Sequence, residues 1–141
     1  MSLKTQMKKW MSRLATLRGV FVVAAVYDGV LGLMFLFFWR ALFEAVRVPL
    51  PNHGGYVQFP ALLLIVFAVM FAMIAARPQA RRELIPWGMA LKASFAGLVL
   101  FHWAWEGVPW VWKPLAVVDL LFLAAFVWAW MALGWRGNHA G

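Results

Sequence analysis

Four long apolar runs constrain the fold of this 141-residue sequence more than any other feature. They lie at residues 19–38, 59–76, 84–105 and 111–133. An α-helix rises about 1.5 Å per residue and the hydrocarbon core of a bilayer is about 30 Å thick, so about 20 residues span it. All four runs are long enough, the second only just. The sequence therefore predicts an all-α polytopic membrane protein, a single domain over residues 1–141 folded as a bundle of four transmembrane helices.

The composition supports this prediction and excludes some chemistry. Hydrophobic residues make up 65% of the chain and charged residues 13%, against about 45–50% and about 25% in soluble domains. The absence of cysteine excludes disulfides, thiolate metal sites and thiol redox reactions. The first run is longer than the apolar core of a signal peptide, so we expect it to remain in the protein as a helix.

The basic residues predict the orientation of the bundle. Nine of the thirteen fall on one side of it and three on the other, while Lys92 lies within the third run. The nine are Lys4, Lys8, Lys9, Arg13, Arg18, Arg77, Arg81, Arg82 and Arg136, and the three are Arg40, Arg47 and Lys113. Positive charge stays in the cytoplasm, so we expect both termini there, in a bacterial inner membrane. Attraction to anionic lipids explains the net charge of +8, and no nucleic-acid partner is predicted.

Residues 1–18 carry an amphipathic pattern. Apolar residues recur there at steps of three and four, with basic residues between them. The apolar residues are Leu3, Met7, Trp10, Leu14 and Leu17. This spacing is typical of an interfacial helix that lies in the lipid headgroup layer.

Three charged residues lie well inside the apolar runs: Asp28 in the first, Lys92 in the third and Asp119 in the fourth. Each costs about 2.5–3.5 kcal/mol at the centre of a lipid-facing helix, so we expect them to face inward and pair. Small residues flank two of them at four-residue spacing, namely Ala24 and Gly32 around Asp28, and Gly88 and Ala96 around Lys92. Small residues let helices approach closely in membranes, which supports a buried Asp28–Lys92–Asp119 cluster.

The cluster has two acidic groups and one basic group. Like charges in a dry interior repel, so we expect one carboxyl to hold a proton. A protonatable intramembrane cluster is a hypothesis of function. The alternative is an ion pair that only fixes which helices pack together.

Other polar residues lie toward the outer ends of the runs. His102 and Glu106 are four residues apart and are predicted to form an interfacial polar pair. A haem or metal site would need a second inward histidine, whereas His53 and His139 fall in a loop and a tail, so no metal site is predicted. The loop after the first run contains three prolines and a Gly54–Gly55 pair, which predict an ordered turn. Its polar residues are Asn52, His53 and Gln58, and residues 41–46 before it can form a short interfacial helix.

The order of several short motifs resembles small bacterial four-helix inner-membrane proteins, loosely of the DoxX family. The motifs are Tyr27–Asp28 in the first helix, "PLPN" at 49–52, Lys92 in the third helix, "GVPW" at 107–110 and "VDL" at 118–120. DoxX-like proteins are linked to membrane redox and quinone-associated systems. The resemblance therefore implies a role of that kind.

Three functions follow from these features. The first is an accessory membrane protein, not an enzyme and without a bound cofactor, whose cluster binds a quinone or another lipid-like ligand. The second is a small proton-coupled transporter resembling small multidrug resistance exporters, which also carry an acidic residue in the first helix, although Lys92 argues against a cation substrate. The third is a structural subunit of a homo-oligomer or a larger membrane complex, with the tryptophan-rich surface as its docking face. No nucleophile, base and oxyanion donors are arranged for catalysis.

Overall fold

A computed structural model describes residues 1–137 of the protein, so His139 lies outside the described residues. The described residues form helices joined by turns, and four of these helices are long and apolar enough to cross a membrane. They are α1 (Leu3–Ala45), α2 (Gly55–Ala76), α3 (Ile85–Trp105) and α4 (Trp112–Gly137), with a short 3-10 turn at Arg82–Leu84 before α3. The predicted all-α fold with four membrane-spanning helices is confirmed. We call the end of the bundle with the N-terminus, the α2–α3 turn and the end of α4 the terminal face, and the opposite end the loop face.

The first helix is much longer than predicted. α1 comprises 43 residues, and the amphipathic segment 1–18 is its N-terminal part rather than a separate helix. Ser2 caps the start by accepting a hydrogen bond from the Thr5 N–H at 3.3 Å. Gly19, where the sequence predicted a new helix to begin, does not interrupt it. One helical glycine costs only about 1 kcal/mol, which the burial of Leu17 and Phe21 on either side of Gly19 outweighs.

The other end of α1 includes residues that were expected to form a short helix of their own. Phe38 departs from helical geometry, with φ −123° and ψ 21°, and the kink there separates the long part of α1 from a short helical segment that runs to Ala45 and contains most of residues 41–46. Arg47 then adopts a left-handed conformation with φ 57°, and the Val48 N–H donates to the Phe43 carbonyl at 2.9 Å. This is the Schellman ending of a helix, here with arginine in the position that glycine usually occupies.

The second helix begins at Gly55, four residues before the predicted start. His53 Nδ1 accepts a hydrogen bond from the Gly55 N–H at 3.0 Å, and the Gly54 carbonyl accepts from Gln58 at 2.9 Å. The first bond satisfies an N–H group that a helix start leaves unpaired, and the second is the first intrahelical bond of α2. Gln58 therefore lies on α2 and not in the loop, which corrects the prediction, and its Nε2 donates to the Leu36 carbonyl at 3.4 Å.

The core lies where two helical hairpins meet, α1 with α2 and α3 with α4. The rings of Phe21 and Phe126 stack with centroids 4.8 Å apart, and Phe71 packs against Phe126 at 5.1 Å. The rest of this core is aliphatic and lies toward the terminal face: Leu17, Ala24, Ile74, Ala75, Ile85, Ala129 and Leu133. Burial of these side chains holds the terminal half of the bundle together.

At each face of the bundle, a side chain from a turn also donates a hydrogen bond to a backbone carbonyl of another element. At the terminal face, Arg82 Nε and Nη2 donate to the Trp130 carbonyl at 3.1 and 2.9 Å, and the guanidinium lies 4.1 Å from the centroid of the Trp130 ring. At the loop face, Trp110 Nε1 donates to the Val46 carbonyl at 3.2 Å. These links tie the α2–α3 turn to α4 and the α3–α4 turn to the end of α1.

Candidate functional site

Asp28, Lys92 and Asp119 meet inside the bundle, each from a different helix. Lys92 Nζ donates to Asp28 Oδ1 at 2.8 Å and to Asp119 Oδ1 at 3.1 Å. Asp28 and Lys92 are each 1% exposed and Asp119 is 7% exposed. The structure thus brings together the three side chains that the sequence predicted to pair, and the lysine is the shared partner of both carboxyl groups.

Gly32 and Gly88 beside the cluster do not bring α1 and α3 together. Each of them makes room for a residue of α2 instead. A Cβ on Gly32 would lie 2.8 Å from the Ala61 carbonyl oxygen, so Gly32 brings α1 close to α2. A Cβ on Gly88 would lie 2.6 Å from a ring atom of Phe71, so Gly88 makes room for that ring. The backbones of α1 and α3 make little direct contact. The long Lys92 side chain therefore bridges a gap between these helices, which a shorter basic group would not cross.

Aromatic rings surround the ammonium group on its other sides. Lys92 Nζ lies 4.9 Å from the centroid of Phe122, 5.4 Å from Tyr27 and 5.8 Å from Phe71. The faces of such rings attract a cation, most strongly where water is excluded. These three residues were not predicted as part of the site. The spacing of Phe122 three residues after Asp119 places both on one face of α4, whereas no feature of α2 in the sequence singles out Phe71.

One polar atom of the cluster lacks a hydrogen-bond partner among the described residues. Asp28 Oδ2 is buried and accepts no hydrogen bond, while Asp28 Oδ1 receives the Lys92 bond. A buried acceptor without a donor costs about 1–3 kcal/mol. The Asp119 side chain, at 10% exposed, is the most accessible member of the cluster. The site is therefore not self-contained, because it can accept one more donor at Asp28.

An apolar groove runs beside the cluster along α1. Its volume is about 480 Å³, and its lining extends from Val22 through Tyr27 and Val30 to Met34. A second cavity of about 160 Å³ shares Leu31 and Met34 with the groove and continues between α1 and the start of α4. Tyr27 lines the groove on one side and lies 5.4 Å from Lys92 Nζ on the other. Tyr27 thus lies between the open apolar groove and the charged cluster.

The remaining predicted residues lie at or near the loop face. His102 Nδ1 is 3.6 Å from Glu106 Oε2, and both side chains are exposed at 42% and 69%. Asn52 is exposed, and His53 supports the start of α2 as described above. His102 is ten residues beyond Lys92 on α3, about 15 Å along the helix. The structure does not bring these residues to the charge cluster.

Comparison with known proteins adds no relative. The sequence matches no protein-family model, no curated protein and no solved structure. The resemblance to the DoxX family stays a prediction from short motifs.

Proposed function

We propose that this protein is a non-catalytic membrane protein that binds a lipid-soluble ligand whose polar head donates a hydrogen bond, such as a quinol or an isoprenoid alcohol. The observation that carries the proposal is the buried Asp28 Oδ2, which lacks a partner among the described residues, beside an apolar groove. The groove and the second cavity together extend along α1 from Val22 to Val46. The 24 steps between these residues correspond to about 36 Å measured along the helix, which bends at Phe38, enough for a chain as long as the hydrocarbon core is thick.

The two parts of the site suit the two parts of such a ligand. Its chain would lie in the groove against Val22, Val30 and Met34, which offer only apolar side chains. Its head would pass the Tyr27 ring and reach the Asp28–Lys92–Asp119 cluster. Binding sites of this type combine a mostly apolar lining with a few polar groups that fix the orientation of the ligand. A DoxX-like relationship with quinone-associated systems would agree with this function.

The alternative functions receive less support from the geometry. A transporter for cations would need the space next to Asp28, which the Lys92 ammonium group occupies at 2.8 Å. A purely structural subunit would not need a buried acceptor without a partner, because such a group lowers stability. Partners other than the bilayer, including a second copy or a larger complex, are compatible with ligand binding.

Filling the groove is expected to expel the ligand. Val30 lines the groove and is 51% exposed, so Val30→Trp should place a bulky ring where the chain lies. Overpacking of about 1–3 kcal/mol corresponds to a fall in ligand affinity of about fivefold to 150-fold. Native mass spectrometry of the protein purified in a mild detergent measures retention directly. The wild-type protein should carry about one lipid-soluble molecule that is not a phospholipid.

Val66→Trp is the matched control for this experiment. Val66 is 62% exposed on α2 and does not line the groove. It lies near the depth of Val30, because Gly29 packs on Ala68 and Gly32 packs on Ile65. Val66→Trp should retain the ligand like the wild type. Equal retention by both variants, or a wild-type protein without such a molecule, would rule out the proposed function.

The proposal includes a bacterial inner membrane with both termini in the cytoplasm. The support is the charge asymmetry, since nine basic residues lie toward the terminal face and three toward the loop face. Alkaline phosphatase folds only in the periplasm, so a fusion after Gly141 should be inactive and a fusion inserted after His53 should be active. The reverse pattern of activities would show the opposite orientation.

A further inference from the structure

The N-terminal part of α1 extends the buried seam of the bundle beyond the bundle itself. Eight residues recur alternately four and three positions apart: Leu3, Met7, Trp10, Leu14, Leu17, Phe21, Ala24 and Asp28. This is the 3.5-residue period of helices that pack against other helices. Leu17 and Phe21 are 1% and 0% exposed, whereas Met7 is 57% and Leu3 is 79% exposed. The stripe is thus buried at Leu17 and Phe21, half-buried at Trp10 and Leu14, with Trp10 packed against the core, and exposed at Met7 and Leu3.

The exposed residues of the stripe, Leu3 and Met7, lie too far from the membrane to rest on its surface. Asp28 lies near the middle of the spans, and half of a hydrocarbon core, about 15 Å, is covered by about ten residues. The hydrocarbon edge then falls near Arg18, and a headgroup layer of about 5–8 Å ends near Leu14. Leu3 lies about 16 Å further along the helix. Helical geometry continues through Gly19, so the segment does not fold back onto the lipid surface.

The basic residues beside the stripe restrict the kind of surface that can pack against it. Lys4, Lys8, Lys9 and Arg13 are all exposed, and the sequence has no acidic residue before Asp28. A second copy is a poor match, because two such helices would repel each other. Of the acidic residues, Asp28 and Asp119 are buried and Glu44 and Glu106 lie at the loop face, which leaves only Glu83 near this segment. The complementary surface must be apolar along one stripe and acidic beside it.

We infer that residues 3–14 of α1 form a docking site for an acidic amphipathic helix of a partner protein. Such a helix would place its apolar stripe on Leu3, Met7 and the exposed part of Leu14, and its carboxylates beside Lys4 and Arg13. Helix-in-groove recognition of this kind depends on apolar anchors for affinity and on flanking charge for partner choice. The inference is independent of ligand binding in the membrane.

The absence of cysteine makes a direct test practical. A spin label is attached to Met7→Cys, on the stripe, or to Ser12→Cys, which is exposed on the opposite side of α1, in the full chain in nanodiscs of phosphatidylethanolamine and phosphatidylglycerol. Both labels should be accessible to a water-soluble nickel complex and not to oxygen dissolved in lipid. The probe is a synthetic helix of about 18 residues with leucine on one stripe and glutamate beside it. It should immobilise the label at position 7 and leave the label at position 12 mobile.

Charge variants complete the test. A probe with lysine in place of glutamate should not bind, and Lys4→Glu combined with Arg13→Glu should weaken binding of the acidic probe at least about tenfold. A label at position 7 that is reached by oxygen in lipid would show that the segment lies on the membrane. Dipolar broadening between labels at position 7 would show a second copy as the occupant. Either result, or equal binding of the two probes, would overturn the inference.

Discussion

Replacing Lys92 with methionine is expected to lower the free energy of unfolding by about 3–5 kcal/mol. The substitution keeps most of the apolar stem but removes the only ammonium group that contacts Asp28 and Asp119 among the described residues. Two carboxyl groups then remain in the interior without a donor, and Asp28 is 1% exposed. Unfolding of the detergent-purified protein, followed by circular dichroism, measures this loss.

A second substitution separates the structural role of Lys92 from its role in ligand binding. Adding Asp28→Asn to Lys92→Met should recover much of the lost stability, because it removes the closer of the two unpaired carboxyls. If the cluster also holds the ligand head, the double variant should fold and yet retain no ligand.

Lys113→Met is the control for the same change at a less buried lysine. Lys113 contacts Trp103 at the loop face, so its replacement should cost no more than about 1 kcal/mol. Should Lys92→Met unfold like the wild-type protein, Lys92 would not be a buried counter-ion.

Gly32→Ala is expected to destabilise the protein by about 1–3 kcal/mol, although alanine favours helix formation over glycine. The added Cβ would lie 2.8 Å from the Ala61 carbonyl oxygen and 2.9 Å from Ile65 Cγ1. A backbone oxygen cannot move aside as the end of a flexible side chain can, so α1 and α2 must separate. Because Asp28 is one helical turn away, the same shift should also lengthen its contact with Lys92.

Gly97→Ala is the matched variant, since both glycines lie within long helices. A Cβ on Gly97 would meet no atom within 4 Å, so the change should be neutral or stabilise by up to about 1 kcal/mol. Unfolding midpoints of the two variants, compared under identical conditions, decide the point. Equal midpoints would show that α1 and α2 are not packed closely at Gly32.

The number of membrane-spanning helices could be predicted from the sequence, whereas the exact ends of the helices could not. Length and hydropathy predicted four spans, because a membrane helix must be long and apolar regardless of its neighbours. Helix ends depend on specific hydrogen bonds and packing, and there the prediction was less accurate. The His53 ring extends α2 to Gly55, and the burial of Leu17 and Phe21 carries α1 through Gly19.

The sequence by itself determined that this protein is a four-helix membrane bundle and that Asp28, Lys92 and Asp119 have to meet inside it, because isolated charges in hydrocarbon are too costly. Only the tertiary structure decided what surrounds them. The rings of Phe71 and Phe122, the unpaired Asp28 Oδ2 and the groove beside Tyr27 all result from how helices distant in sequence are rotated toward one another. That rotation is set by close packing, as at Gly32 and Ala61. Hydropathy records whether a residue avoids water and not which side chain it will face. Of these contacts, only that of Phe122, three residues after Asp119 on α4, has a signature in the sequence.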